Sequence, residues 1–89
     1  MASVMFTAHL RRVAPPGPVR AEGETVGAVL ANLFAAHPRL GSYVLDDQAR
    51  LRKHVAVFVG GNRIANGQAL DHPVAPDGEI HVMQALSGG

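Results

Sequence analysis

One apolar stripe, between Thr25 and Pro38, limits the folds open to this 89-residue chain. Its members recur at i, i+3, i+4, i+7 and i+8, which predicts a helix with one buried face. They are Val26, Val29, Leu30, Leu33 and Phe34, with His37 at the end of the stripe. Thr25 is a suitable N-cap, and Pro38 is expected to end the helix because proline restricts the residue before it. Such a helix has to bury its stripe against another layer of structure.

Short stretches on both sides of this helix alternate in polarity, as half-buried strands do. They are residues 3–10, 19–23, 54–59, 63–65 and 79–86. Proline- and glycine-rich breaks at residues 14–18, 60–62 and 76–78 predict the turns between them. The order therefore predicts an α+β domain in which a mixed five-stranded sheet packs on one main helix. A split βαβ arrangement is the alternative, but it needs a second long helix and no second stripe is present.

Two connections are less regular. Residues 41–54 are interpreted as two extended pieces joined by a turn at Asp46-Asp47, with Tyr43 and Leu45 beneath it. The basic residues that follow, at 50, 52 and 53, are interpreted as a solvated hairpin edge. Residues 66–78 are expected to be a loop with one helical turn from Ala69 to Asp71.

Composition excludes several classes of function. Hydrophobic residues make up 47% of the chain, which is typical of a globular domain. A net charge of +1 does not indicate the basic surface that binds nucleic acid. Cysteine is absent, so disulfides, thiol nucleophiles and cysteine-ligated metals are excluded. No phosphate-binding or serine-nucleophile motif occurs. No signal or membrane-spanning segment is recognisable, so we expect a cytoplasmic protein that binds neither nucleic acid nor membrane.

Strand alternation also predicts what lies on the sheet face away from the helix. His9, His54 and His81 could point outward there, and we interpret them as exposed polar residues and not as metal ligands. Apolar residues share this face. They are Met5, Ala56, Phe58, Met83 and either Ala85 or Leu86. An apolar patch on an uncovered sheet predicts a docking surface, although scattered exposed apolar residues are also common.

The last predicted strand leads from this face into Ser87, Gly88 and Gly89. Glycines contribute little to a fold, so we expect a domain over residues 1–86 and a flexible tail over residues 87–89. A carboxylate on two residues without side chains can enter a channel that any Cβ would block. A carboxylate is a poor electrophile, but another protein could activate it with ATP as an acyl-adenylate. A sulfur nucleophile would then leave a terminal thiocarboxylate.

Three stretches carry a resemblance to a known family. TVGAVLANLFAAHP is similar to its helix, HVAVFVGGNRI to its central hairpin, and PDGEIHVMQALSGG to its last turn, strand and terminus. The chain thus resembles the MoaD/ThiS/CysO family of ubiquitin-like sulfur carriers, which have the β-grasp fold. The resemblance implies that the chain is not an enzyme and that a MoeB/ThiF-like adenylyltransferase adenylates Gly89, with Gly88 beside it in the enzyme's channel.

The resemblance also implies the other participants. The activating enzyme would use the ATP, and the carrier itself would hold no cofactor and no metal. A persulfide or a sulfurtransferase would donate the sulfur, and a biosynthetic enzyme would accept it. Phe58 and the residues at the end of the last strand would contact the partner; the latter are Met83, Ala85 and Leu86.

Three functions are compatible with these features. The first is a free carrier that supplies sulfur for cysteine, thiamin, a thionucleoside or a secondary metabolite. The long connection from Arg39 to Lys53 favours the cysteine-forming, CysO-like carriers among these. The second is the small subunit of molybdopterin synthase, and the third is a ubiquitin-like modifier conjugated to lysines through Gly89. A binding module without any chemistry at its terminus is the remaining alternative.

Overall fold

The computed structural model describes residues 1–7 and 17–84, which form five strands and three helices. In chain order these are β1 (Ala2–Phe6), β2 (Val19–Ala21), α1 (Val26–Ala36), α2 (Pro38–Val44), β3 (Val55–Val59), β4 (Asn62–Ile64), α3 (Asn66–Ala69) and β5 (Glu79–Gln84). The ends predicted for the first and last strands, residues 8–10 and 85–86, lie outside the described residues.

All five strands belong to one mixed sheet with the order β2-β1-β5-β3-β4. β1 and β5 are parallel and lie next to each other, with Val4 opposite Ile80, whereas every other neighbouring pair is antiparallel. This arrangement confirms the predicted mixed sheet on one main helix. It is the β-grasp fold.

The apolar stripe of α1 packs on one face of the sheet. All five apolar members of the predicted stripe are buried, together with the inward-facing side chains of β1, β3 and β5. The buried residues of these three strands are Ala2, Val4, Phe6, Val55, Val57, Ile80 and Val82. Thr25 caps the helix as predicted, since its Oγ1 accepts a hydrogen bond of 3.1 Å from the amide of Ala28. The inward-facing residues of the strands and the apolar stripe of α1 thus form one core between sheet and helix.

The first turn of α1 lies against the backbone after α3. The amide of Val26 donates to the carbonyl of His72 at 3.0 Å, and the amide of Gly27 donates to that of Leu70 at 2.8 Å. A Cβ on Gly27 would lie 2.9 Å from the Leu70 oxygen, closer than real contacts allow. Glycine inside a helix normally costs about 1 kcal/mol relative to alanine. Here it permits two otherwise unpaired amides to be satisfied.

We therefore expect Gly27→Ala to destabilise the protein, by roughly 1–3 kcal/mol, because the added methyl would displace the Leu70 carbonyl. Gly67→Ala in α3 is the matched control, since a Cβ there would meet nothing within 4 Å. The control should be neutral or slightly stabilising. Chemical denaturation of both variants measures the difference. Equal stability of the two variants would contradict this account of Gly27.

The prediction of two extended pieces over residues 41–54 is wrong for the first piece. The chain starts a second helix at Pro38, because proline is favourable in the first helical turn, where an amide would have no partner. Leu40 and Val44 of α2 are buried, but Tyr43, expected beneath the turn, is 49% exposed. Leu45 is half-buried and packs against the core.

The turn at Asp46-Asp47 is confirmed. Leu45 and Leu51 form an antiparallel bridge across it, and the amide of Asp46 donates to the carbonyl of Arg50 at 2.8 Å. The basic residues at 50, 52 and 53 are exposed, as predicted. The helical turn expected at residues 69–71 is displaced, because α3 spans Asn66–Ala69.

Candidate functional site

The sheet face opposite α1 carries the residues that alternation predicted for it. Met5, Phe58 and His81 are partly buried on this face, and Met83 is 41% exposed. Their sequence neighbours Val4, Val57 and Val82 point the other way and are fully buried. The centre of this face is therefore apolar and partly accessible to solvent.

Strand register brings four of these side chains into one row. Met5 of β1 is opposite His81 of β5, His81 is opposite Phe58 of β3, and Phe58 is opposite Arg63 of β4. Directly opposed side chains on one face of a sheet are neighbours in space. The row therefore crosses four strands and passes from an apolar end at Met5 to a cation at Arg63.

A concavity of about 270 Å³ lies along this row, and we call it the outer-face groove. Its lining is mostly apolar. The lining residues are Met5, Phe6, Thr7, Phe58, Gly61, His81, Val82 and Met83. A groove of this size fits one or two apolar side chains of a protein partner. Thr7 and Gly61 line the groove and Arg63 lies at the end of the row, but none of them was among the predicted contact residues. Alternation along β1 places Thr7 on this face, whereas the positions of Gly61 and Arg63 depend on how the strands pair.

The histidines do not converge. His81 lines the groove, but His54 lies in the turn before β3 and not on the strand, so its predicted outward position on the sheet is wrong. The reason is local, since the amide of Val55 donates to the carbonyl of Arg52 and closes a turn there. His9 lies outside the described residues. Within residues 1–7 and 17–84, no three side chains of metal-binding type are grouped to hold an ion.

The Asp46-Asp47 pair lies in a turn, and the Asp46 carboxylate accepts the hydrogen bonds that stabilise it. The backbone amide of Arg50 donates to Asp46 Oδ1 at 2.9 Å and lowers the pKa of that carboxyl. The amide of Gln48 and the Arg50 guanidinium, 3.5 Å from Oδ2, act in the same direction. These contacts keep the carboxylate ionised as a hydrogen-bond acceptor for the turn, which supports the structural interpretation of this pair over a catalytic one.

β5 ends at Gln84 and directs the chain toward its last residues. The amide of Gln84 contacts Thr7 Oγ1 at 3.4 Å, beside the outer-face groove. Of the predicted site residues, Phe58 and Met83 are on the groove. The others lie outside the described residues and stay predictions. They are Ala85, Leu86, Ser87, Gly88 and Gly89.

Comparison with known families gives a match over residues 4–89 to the ThiS family. The chain belongs to the ThiS family. Its members are small ubiquitin-like sulfur carriers and modifiers, which are substrates of activating enzymes and not catalysts. A comparison with curated protein sequences gives no match.

Solved structures agree with this assignment. SAMP1 from Haloferax volcanii is 32% identical, with a TM-score of 0.79, and the alignment covers 99% of this chain and 98% of that one. CysO in the Amycolatopsis orientalis BexX/CysO complex is 19% identical with a TM-score of 0.85, and both chains are covered completely. CysO from Mycobacterium tuberculosis is 21% identical with a TM-score of 0.83, covering 97% of this chain and all of that one. The two CysO likenesses show the shared fold.

Among the residues that the structure describes, no helix combines the length and apolar character needed to cross a bilayer.

Proposed function

We propose that this ThiS-family protein is a cytoplasmic sulfur carrier whose Gly89 carboxylate is converted to a thiocarboxylate. The observation that carries the proposal is the family match, which runs through Gly89. The direction of β5 supports it, because that strand passes along the outer-face groove and leads toward the tail.

The chemistry divides between the carrier and its partners. A MoeB/ThiF-like adenylyltransferase uses ATP to join AMP to the Gly89 carboxylate and releases pyrophosphate. The outer sulfur of a persulfide, on the enzyme or on a sulfurtransferase, then attacks the acyl carbon, AMP leaves, and an acyl disulfide joins Gly89 to the donor. A second thiol of a partner attacks the donor's inner sulfur, which forms a disulfide and releases the Gly89 thiocarboxylate. The chain has no cysteine, so that nucleophile has to come from a partner. The carrier contributes the carboxylate and the surface by which the enzymes hold it.

The sulfur acceptor is proposed to be a biosynthetic enzyme. Support comes from the Amycolatopsis orientalis structure, in which CysO is in complex with BexX. We propose that the acceptor binds the outer-face groove of this chain once the activating enzyme has dissociated. We propose that the two partners bind in turn, because each needs the Gly89 carboxylate.

The intact mass of the protein, co-expressed with its activating enzyme, tests the proposed function. A gain equal to one oxygen replaced by one sulfur, localised to Gly89, is the expected result. Treatment with an alkylating reagent specific for thiocarboxylates should label the same residue. An unmodified chain, with the enzyme shown to be active on another carrier, would contradict the proposal.

Phe58→Asp is expected to weaken binding to the activating enzyme by roughly tenfold or more. The substitution places a charge in the centre of an apolar contact and removes an aromatic anchor. Tyr43→Asp is the matched control, because Tyr43 is an exposed aromatic on α2, away from the groove. Isothermal titration of both variants gives the comparison. An unchanged affinity for Phe58→Asp would show that the activating enzyme does not bind the outer-face groove.

A second function, protein modification through Gly89, is favoured by the similarity to modifier proteins. A second Haloferax volcanii structure, described as small archaeal modifier protein 1, is 30% identical with a TM-score of 0.77, covering 96% of this chain and 97% of that one. Tryptic mass spectrometry of cell extracts distinguishes this function, since conjugation leaves C-terminal residues of this chain on target lysines. Such adducts would establish modification, whereas sulfur loading alone would favour the carrier.

A further inference from the structure

The turn from Arg52 to Val55, which we call the basic turn, is held rigidly from both sides. The amide of Arg52 donates to the carbonyl of Val44, and that of Val55 donates to the carbonyl of Arg52, both at 3.0 Å. Asn66 Nδ2 donates to the carbonyls of Arg52 and Val55, at 3.4 and 2.9 Å. These bonds fix the backbone of the basic turn relative to α2, β3 and α3.

The tip of the basic turn carries Lys53, which is the only lysine in the chain, and His54. Both are exposed. In the described part of the chain the one salt bridge joins Arg50 to Asp46, so the Lys53 ammonium has no carboxylate partner there. The Arg52 guanidinium is exposed as well, and its Nε donates to the carbonyl of Ser42 at 2.9 Å. The basic turn thus presents positive charge to solvent from a backbone that is held in place by hydrogen bonds.

The basic turn lies beside the end of β5. Val55, its last residue, is opposite Gln84, the end of β5. Gly89 is five residues further along the chain, a distance of about 17 Å at full extension. An enzyme that binds the Gly89 carboxylate in its active site is therefore held within this distance of Gln84, close enough for its surface to contact the adjacent basic turn.

We infer that the basic turn docks on a carboxylate-bearing rim around the channel of the activating enzyme, with Lys53 as the main contact. This inference rests on the proposed function. An ammonium that is covered by a partner without a counter-charge loses solvation and weakens the complex. Acidic residues on the rim compensate that loss and accelerate association, while an enzyme with a basic rim is repelled. Lys53 thus selects the partner, and the outer-face groove supplies apolar contact area.

Four proteins test the inference in one loading assay with the purified activating enzyme: wild type, Lys53→Glu, Lys53→Arg and Arg39→Glu. Lys53→Glu should lower kcat/KM by roughly tenfold at low salt, through KM, because it reverses a charge at the interface rim. That difference should largely disappear near 1 M salt, where the Debye length is about 3 Å. Lys53→Arg keeps the charge and should load within about twofold of wild type. Arg39→Glu makes the same charge change at an exposed residue of α2 and should also load within about twofold of wild type.

The outcomes separate the inference from the proposed function. Loading of wild type and Lys53→Glu at the same rate would overturn the inference and leave the carrier function intact. A loss in Lys53→Arg equal to that in Lys53→Glu would also overturn it, because the amine and not the charge would then matter. If wild type itself is not loaded by an enzyme that is active on another carrier, the proposed function fails and the inference fails with it.

Discussion

Deletion of Gly88 and Gly89 is expected to abolish sulfur loading completely and to leave the unfolding temperature unchanged. The adenylated carboxylate would be moved to Ser87, two residues short of the enzyme's reacting atoms and attached to a residue with a side chain. The stability should not change, because glycines without side chains add almost no packing to a fold. Intact-mass measurement after co-expression gives the loading, and thermal unfolding gives the stability.

Gly89→Ala sharpens this test, because it keeps the length of the tail and adds only one Cβ. We expect it to be loaded far more slowly than wild type, since a channel shaped for glycine excludes a methyl group. Ser87→Gly is the control and should be loaded normally. Normal loading of the deletion variant would place the reactive carboxylate elsewhere, and a large loss of stability would show that the tail is part of the fold.

Leu30→Ala should produce the largest loss of stability among single truncations, roughly 3 kcal/mol. Leu30 is 1% exposed, at the centre of the stripe that α1 buries on the sheet. A domain of this size unfolds about 4–8 °C lower for each kcal/mol lost, so the expected decrease is about 12–24 °C. Loading at a temperature where the variant is still folded should match that of wild type.

Met83→Ala is the matched comparison, since it also truncates a large apolar side chain to alanine. Met83 is 41% exposed on the outer face, so its loss should change stability by less than about 1 kcal/mol. It should nevertheless slow loading, because Met83 lines the outer-face groove. The two variants together should distinguish the roles of the two faces of the sheet. Leu30→Ala should lower stability, whereas Met83→Ala should weaken binding of the activating enzyme. A similar fall in unfolding temperature for both would contradict this division.

The parts of the fold that could be predicted are those with a strong local period. The stripe of α1 and the alternation in β3 place Leu30 in the core and Phe58 on the outer face without any knowledge of distant contacts. The Asp46 turn was equally predictable, because an aspartate accepting backbone amides is a local interaction. Phe58 and Met83 were therefore assigned to the outer face of the sheet from the sequence.

The parts that could not be predicted depend on short elements or on distant pairing. α2 has seven residues and includes Gly41, so its helical period is weak, and Pro38 was taken as the end of α1 when it also starts α2. The row from Met5 to Arg63 depends on the strand order, which no local pattern encodes. The reason for Gly27 also became apparent only from its contact with Leu70, more than forty positions away.

The parallel pairing of β1 with β5 has a consequence for how the protein matures. β5 lies between β1 and β3, so the sheet cannot close until residues 79–84 have been synthesised. Pairing between sequence-distant strands is slow, because the entropy of closing a long loop is lost before the contacts form. A nascent chain that has reached only β4 therefore has neither a finished core nor a complete groove. Under the proposed function, an activating enzyme would then encounter the complete docking face only on chains whose translation has passed β5.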